Sequence, residues 1–150
     1  MKIVVILLFG FCLFFFTTFK VRAMASNQMQ NNQRFAPCPS SPNCVSTKAE
    51  KSDTHWIEVI RYELSDEFIK ETLKKILLDL PRTRLVEDDG RYLHFEIKSF
   101  LFRFVDDIEF EIVPEEKLIH VRSASRVGYS DLGVNRERVE LIRKKLGSNP

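Results

Sequence analysis

Three segments of this chain alternate apolar and polar residues, and this pattern constrains the fold more than any other feature. In one of them Leu93, Phe95 and Ile97 face one way while the polar residues between them face the other, as in a strand with one buried face. A further strand precedes it, joined at Asp89-Gly90, a dipeptide suited to a tight hairpin turn. Strands are thus predicted over residues 83–88, 91–99, 107–113 and 118–126.

Two amphipathic helices flank these strands. Ser65 is placed to cap the first, and Pro81 ends it. The second is predicted over residues 135–146, followed by Gly147. One more strand is predicted ahead of the first helix, over residues 56–62. The apolar residues at helical spacing are Ile69, Leu73, Ile76, Leu77 and Leu80 in the first helix and Val139, Ile142 and Leu146 in the second.

The predicted order is strand, helix, four strands, helix. This order indicates an α+β fold with one twisted antiparallel sheet of about five strands and both helices packed on one face. It resembles the TATA-binding-protein-like and helix-grip folds in topology. Because such folds host many functions, the resemblance alone indicates no activity.

Residues 3–16 form an apolar stretch directly behind Met1 and Lys2. A short basic start, an apolar stretch of about 7–15 residues and a small-x-small site define a secretory signal peptide. Ala23-Met24-Ala25 supplies that site and predicts cleavage before Ser26. We therefore expect an exported protein of the periplasm or cell envelope.

The alternative is an uncleaved anchor in the inner membrane. Extending the stretch to Phe19 brings it to the lower limit of length for a spanning helix. Lys20 and Arg22 follow it as orienting charges. Residues 3–19 would then contact the membrane. Cys12 does not indicate a lipid anchor, because the bulky Phe11 precedes it where a lipoprotein signal needs a small residue.

Three regions follow from this reading: a signal peptide or anchor over residues 1–25, a polar linker with a cysteine loop over 26–54, and a single α+β domain over 55–150. Removal of residues 1–25 takes Lys2, Lys20 and Arg22 from the 23 basic residues and none of the 21 acidic ones. A nearly neutral chain without a basic stripe argues against a nucleic-acid partner, whose affinity rests on phosphate neutralisation.

Cys38 and Cys44 lie close together in a loop stiffened by Pro37, Pro39 and Pro42. In an oxidising compartment such a pair favours a local disulfide. Two free thiols, or metal or redox chemistry, are the alternatives. The spacing does not match a zinc knuckle or the Cys-x-x-Cys redox motif.

Several segments resemble the signatures of the domain of unknown function 1499 family. They are residues 38–46, residues 104–110 and, most distinctively, Arg-Ser-Ala-Ser-Arg-Val-Gly-Tyr-Ser-Asp-Leu-Gly-Val-Asn-Arg at 122–136. The resemblance covers nearly the whole exported domain. It implies a bacterial or plastid-type exported or membrane-associated protein, and it implies no established activity.

A dense group of polar residues lies where the last strand meets the last helix. Guanidinium groups, hydroxyls and helix N-terminal amides all donate to oxygen, so the group could bind an anion or a polar head group. The competing interpretation is structural, with Asp106 or Asp131 paired to Arg122, Arg126 or Arg136. The candidate ligand-binding residues are Asp106, Asp107, Arg122, Ser123, Ser125, Arg126, Tyr129, Ser130, Asp131, Asn135 and Arg136.

The residues indicate no catalytic group, cofactor or metal site. His55, His94 and His120 lack metal-ligand spacing, and Asp106 and Asp107 point to opposite faces of a regular strand. We expect a non-enzymatic domain that binds a lipid, another amphipathic ligand or an envelope protein. The phenylalanine-rich residues 100–104 would line a pocket or face a bilayer, although a small α+β core would use such side chains equally well. The alternatives are a hydrolase using Asp106, Asp107 and the Arg/Ser cluster, and a purely structural module.

Overall fold

A computed structural model describes residues 34–147. Its compact unit begins at Pro37 and is built on a six-stranded antiparallel sheet with the path β1-β6-β5-β4-β3, while β2 also pairs with β6. The α+β prediction is confirmed, with one strand more than expected. The strands are β1 Cys44–Ser46, β2 Ile60–Arg61, β3 Thr83–Asp89, β4 Tyr92–Lys98, β5 Val105–Val113 and β6 Leu118–Ser125.

The register of the three central strands sorts the side chains onto two faces. Leu93 lies opposite Phe110, and Phe110 opposite Val121, so apolar residues share one face. Further along the same strands, Glu96 lies opposite Asp107, which places acidic side chains on the other face. Because side chains alternate along a strand, the predicted apolar and polar faces both form.

Helices α1, Asp66–Leu78, and α2, Val134–Gly147, both contribute to the core. The Ser65 side chain accepts a hydrogen bond from the Phe68 amide, which confirms the predicted cap. Phe95 and Phe110 meet edge to face at the centre of the sheet, with ring centroids 6.4 Å apart, a favourable arrangement for aromatic pairs. The helix residues that the sequence assigned to the core and that are buried are Ile69, Leu73, Ile76, Leu77, Val139, Ile142 and Leu146.

The segment before α1 differs from the prediction. Only Ile60–Arg61 forms a strand there, and Trp56 makes an isolated bridge with Ser46. The carbonyl oxygens of Glu58 and Val59 instead accept hydrogen bonds from the Arg143 guanidinium. These backbone carbonyls therefore bond to a side chain of α2 and not to a neighbouring strand.

The cysteine loop supplies the strand that the sequence did not predict. Cys38 and Cys44 form a disulfide, as expected. Cys44 opens β1 and lies opposite Ala124 of β6. A strand as short as Cys44–Ser46 offers too little alternation to be read from the sequence, and the disulfide holds the proline-rich loop against the edge of the sheet.

The β3–β4 hairpin is displaced by one residue from its predicted position. Asp89 ends β3 opposite Tyr92, which leaves Gly90 and Arg91 as the turn. Gly90 has φ 58°. This value lies in the left-handed region that glycine adopts without a side-chain clash.

The predicted signal peptide or anchor, with its cleavage position before Ser26, lies outside the described residues. Within residues 34–147, no helix has both the length and the apolar character needed to cross a membrane.

Candidate functional site

The structure divides the polar group predicted around residues 106–136 between the two faces of the sheet. Asp106 lies opposite Ile97 and Ser125 on the helix-covered face, whereas Asp107 lies opposite Glu96 and Ala124 on the open face. The two aspartates therefore do not form a carboxylate pair. Two separate sets of contacts result.

On the helix-covered face, Asn135 in the first turn of α2 is the centre of a buried cluster. Its side-chain oxygen accepts a hydrogen bond from Ser123 Oγ at 2.6 Å. Its amide nitrogen donates to Ser125 Oγ at 3.0 Å and to Asp131 Oδ2 at 2.8 Å. Asn135 and Ser123 are both fully buried, so these bonds replace the water that each group loses on folding.

Arg138, which the sequence analysis missed, completes this set, which we call the Asn135 cluster: Asp106, Ser123, Ser125, Asn135 and Arg138. Arg138 donates to Asp106 Oδ2 at 2.6 Å and to Asn135 Oδ1 at 2.7 Å. The Arg138 and Asp106 side chains are only 10% and 11% exposed. A well-bonded ion pair of this kind locks α2 onto β5.

Asp131 has a capping role rather than the ion-pair role proposed from sequence. Its carboxylate accepts from the backbone amides of Gly133, at 3.1 Å, and Asn135, at 2.8 Å. Burial raises the pKa of Asp131, the backbone amides lower it, and the net pKa is below its usual value. The predicted pairing of Asp106 or Asp131 with Arg122, Arg126 or Arg136 is therefore wrong.

On the open face, Arg126 bridges two acids that lie opposite each other. Its guanidinium donates to both oxygens of Asp107, at 2.7 and 2.8 Å, and to Glu96 at 2.6 Å. Arg84 donates to the second oxygen of Glu96, and His94 lies 2.7 Å from Asp107. We call these five residues the open-face network. Without its cations, two like charges would face each other across neighbouring strands.

The electrostatics of the open-face network follow from these contacts. Hydrogen bonds from Arg84 and Arg126 hold the pKa of Glu96 below its usual value. Burial raises the pKa of Asp107, but the bonds from Arg126 and His94 together outweigh burial, and the net shift is downward. The bonds to Asp107 and Glu96 in turn raise the pKa of Arg126.

Arg122 forms a second pair on this face. It donates to Glu109 at 2.8 Å, and Tyr92 donates its hydroxyl to the same carboxylate at 2.7 Å. Both members of the Arg122–Glu109 pair are nearly buried, with side chains 12% and 11% exposed.

The remaining predicted site residues lie apart from these two sets. Arg136 donates to the backbone oxygens of Thr54 and Trp56, which holds the segment before β2 against α2. Ser130 Oγ accepts from the Leu132 amide within its own loop. Tyr129 is 77% exposed. The predicted residues thus do not converge on one anion site.

The histidines also have separate partners. His55 lies beside Asp53, His94 beside Asp107 and His120 beside Thr47. Among residues 34–147, no three His, Cys, Asp or Glu side chains are placed to hold a metal ion together.

A different kind of surface lies at the β4–β5 hairpin tip, residues 100–104. The Ser99 amide donates to the Phe104 carbonyl at 2.8 Å, and the Phe104 amide donates back to Ser99 Oγ at 2.9 Å. These bonds close the tip. Phe100, Leu101 and Phe102 are 81%, 73% and 68% exposed. Folding therefore leaves three large apolar side chains in water.

A groove opens beside the hairpin tip, between α2 and the segment joining α1 to β3. It has a volume of about 370 Å³. Its walls carry apolar side chains together with the basic Arg82, Lys98 and Arg138 and the acidic Asp106 and Glu137. The apolar lining residues include Leu80, Ile97, Val134 and Leu141.

The β6–α2 loop reaches the same end of the sheet. The Arg126 amide donates to the carbonyl of Val105, the residue directly after the hairpin tip. Three further apolar side chains of this loop are exposed. They are Val127, Tyr129 and Leu132. The end of the domain that carries both loops is therefore apolar, and we call it the apolar end.

Sequence reasoning missed Arg84, Glu96, Glu109 and Arg138 as members of the polar sets. Alternation did place Glu96 and Glu109 on the polar face, but only the register joins them to their arginines. Arg138 follows Asn135 by three positions, so helical spacing places both on one side of α2. That spacing is the signal that could have found it.

The fold and these surfaces define a small α+β domain with a bonded polar interior and an exposed apolar end. A family model described as Protein of unknown function (DUF1499) matches residues 34–146. The chain belongs to this family, as its sequence segments suggested. A search of curated proteins gave no significant match.

Proposed function

We propose that this protein is a non-enzymatic exported module that binds a lipid or another amphipathic molecule at its apolar end. The observation that carries the proposal is the hairpin tip, where Phe100, Leu101 and Phe102 are all more than two-thirds exposed. Contiguous exposed apolar side chains on a folded domain mark binding surfaces. The predicted export would bring this surface next to a membrane.

The size of the hydrophobic effect supports the proposal. Fully burying a Phe or Leu side chain is worth roughly 1.5–3 kcal/mol. The free energy gained by burying three such side chains is comparable with the lower end of the free-energy cost of association, about 4–15 kcal/mol. The adjoining groove adds apolar area, and Arg82 and Lys98 in its walls suit the polar part of an amphipathic ligand, whereas Arg138 is bound to Asp106.

The contacts of the candidate catalytic residues support a hydrolase less than they support a structural role. Asp106 is bound by Arg138 and Asp107 by Arg126, on opposite faces of the sheet. Ser123 and Ser125 both bond to Asn135. These side chains hold strands and helix together, which favours a structural role for them beside a binding role for the apolar end.

The test replaces two tip residues, Phe100→Ser with Phe102→Ser, and measures binding of a fluorescent fatty acid and of phospholipid vesicles. We expect binding at least tenfold weaker, since that factor corresponds to a loss of only about 1.4 kcal/mol. The melting temperature should stay at the parent value, because neither side chain is buried in the domain.

Phe68→Ser is the matched control. Phe68 is 49% exposed in the first turn of α1, near the turn between β5 and β6 where Lys117 pairs with Asp66. This is the end of the sheet opposite the hairpin tip. Equal loss of binding in the control, or undiminished binding in the tip variant, would contradict the proposal.

A further inference from the structure

We propose that the surface bound by the apolar end is an anionic phospholipid bilayer, into which the hairpin tip inserts while Arg82, Lys98 and Arg103 contact lipid phosphates. This inference rests on the proposed function and specifies its ligand. Two separate observations support it: the shape of the hairpin tip and the charges around it.

The shape of the tip distinguishes a bilayer from a single bound molecule. Phe100, Leu101 and Phe102 project into solvent and do not line the neighbouring groove. A molecule held in the groove would leave them in water. A bilayer would cover them, because its apolar interior surrounds whatever inserts into it.

The tip is also shaped before binding. The paired Ser99 and Phe104 bonds close it, and the Phe102 and Phe104 rings stack with centroids 5.4 Å apart. A surface fixed in advance loses less conformational entropy on binding.

The charges around the tip complement an anionic surface. Arg82, Lys98 and Arg103 are exposed, and within residues 34–147 none of them forms an ion pair with an acid. Arg82 donates to the Lys98 carbonyl at 2.9 Å, and its guanidinium lies 5.4 Å from the Phe100 ring centroid. Basic residues flanking an apolar insertion are what anionic headgroups attract.

The acids near this end do not cancel these charges. Asp106 is bound by Arg138, and Asp131 caps α2. Asp79 at the end of α1 is exposed, and Glu137 lies in the groove wall on the side of α2; neither forms an ion pair within residues 34–147. The three cations at the tip and beside it still outnumber these two acids.

The experiment measures co-sedimentation of the full chain with vesicles of phosphatidylcholine alone and with vesicles in which a minor fraction is the anionic phosphatidylglycerol. The variant combines Lys98→Gln with Arg103→Gln. The control combines Arg61→Gln with Lys144→Gln, which removes the same charge from exposed positions away from the tip. Residues 3–19 are present in every chain and would bind both vesicle types alike, so the readout is the difference between anionic and neutral vesicles, measured below saturating vesicle concentration.

We expect stronger binding to the anionic vesicles, reduced by salt. Each lost cation should weaken that binding about fivefold, the equivalent of ~1 kcal/mol, so the variant should lose about 25-fold and the control much less. A Phe102→Trp reporter combined with Trp56→Phe should shift its emission to the blue with anionic vesicles.

Three results would overturn the inference. Equal binding to both vesicle types, unaffected by the Lys98 and Arg103 changes, would reject the anionic bilayer and leave the proposed function standing. Binding of the monomeric fatty acid with no tip-dependent vesicle binding would do the same. Undiminished binding of both the fatty acid and the vesicles by the Phe100→Ser, Phe102→Ser variant would reject this inference and the proposed function together.

Discussion

The Asn135 cluster and the hairpin tip lie near the same end of the sheet, yet folding treats their side chains in opposite ways. In the cluster, polar groups are buried or half-buried and each is bonded, with Asn135 and Ser123 fully inaccessible to water. At the tip, apolar groups are exposed, and the cations beside them form no ion pairs within the described part of the chain.

Under the proposed function, this difference separates structural residues from recognition residues. A buried polar group with all its bonds made stabilises the fold and has little left to offer a ligand. An exposed apolar side chain adds little to the stability of the isolated domain, and its unused burial energy is available for binding. The sequence drew attention to the polar group first, whereas the exposure of the tip in the structure favours a binding role there.

The largest expected effect comes from breaking the Asp106–Arg138 pair, whose side chains are nearly buried. Arg138→Met should lower the free energy of unfolding by about 3–5 kcal/mol, because it leaves the buried Asp106 carboxylate uncompensated. Urea denaturation of the parent and variant measures this loss. Ligand binding by the molecules that remain folded should be unchanged.

A double-mutant cycle sharpens this prediction. Asp106→Asn combined with Arg138→Met removes both charges, so the pair should lose less than the sum of the two single losses. Additive losses would show that the two side chains are not coupled. If Arg138→Met alone were as stable as the parent, the Asn135 cluster would have no structural role.

A smaller effect is expected from Arg126→Ala in the open-face network. The Arg126 side chain is 45% exposed, so its loss should cost about 1–2 kcal/mol, between the values for exposed and for buried pairs. Arg91→Ala is a matched control, because Arg91 pairs with the exposed Glu115 and should matter less. If Arg126→Ala lost as much free energy of unfolding as Arg138→Met, the ion pairs on the two faces of the sheet would contribute equally to stability, contrary to this prediction.

The smallest effect concerns pH. Glu96 and Asp107 have lowered pKa values in the folded protein, so the stability they contribute is present above their unfolded values, 4.5 and 3.8, and is lost as pH falls through their folded values. The stability difference between parent and Arg126→Ala should therefore shrink as the pH falls below about 4. Thermal melts of both proteins from neutral to acidic pH measure this stability difference. A difference that does not change with pH would show that Arg126 does not stabilise the fold through Glu96 and Asp107.

Local pattern predicted most of the fold. The alternation around Leu93, Phe95 and Ile97 and the helical spacing around Leu73 placed these residues in the core, and all four are buried. The departures from the prediction have different causes. The segment around Glu58 binds Arg143, 85 positions away, instead of a strand, and β1 is too short to show alternation.

The sequence by itself determined the order of the elements other than β1, the two faces of the sheet and the family, and it favoured the Cys38–Cys44 disulfide over free thiols. Each depends on residue types at short spacing, which periodicity or a motif records directly. The boundaries of the three predicted regions and the export segment stay predictions from the same kind of signal.

Only the tertiary structure decided which charges pair and which apolar groups stay outside. Arg126 and Glu96 are 30 positions apart, and Asp106 and Arg138 are 32 apart. Alternation assigns a side chain to a face, but its partner depends on strand register and on how a helix docks. The same holds for residues 100–104, whose composition suits a core equally well, and whose exposure follows from where the β4–β5 hairpin ends.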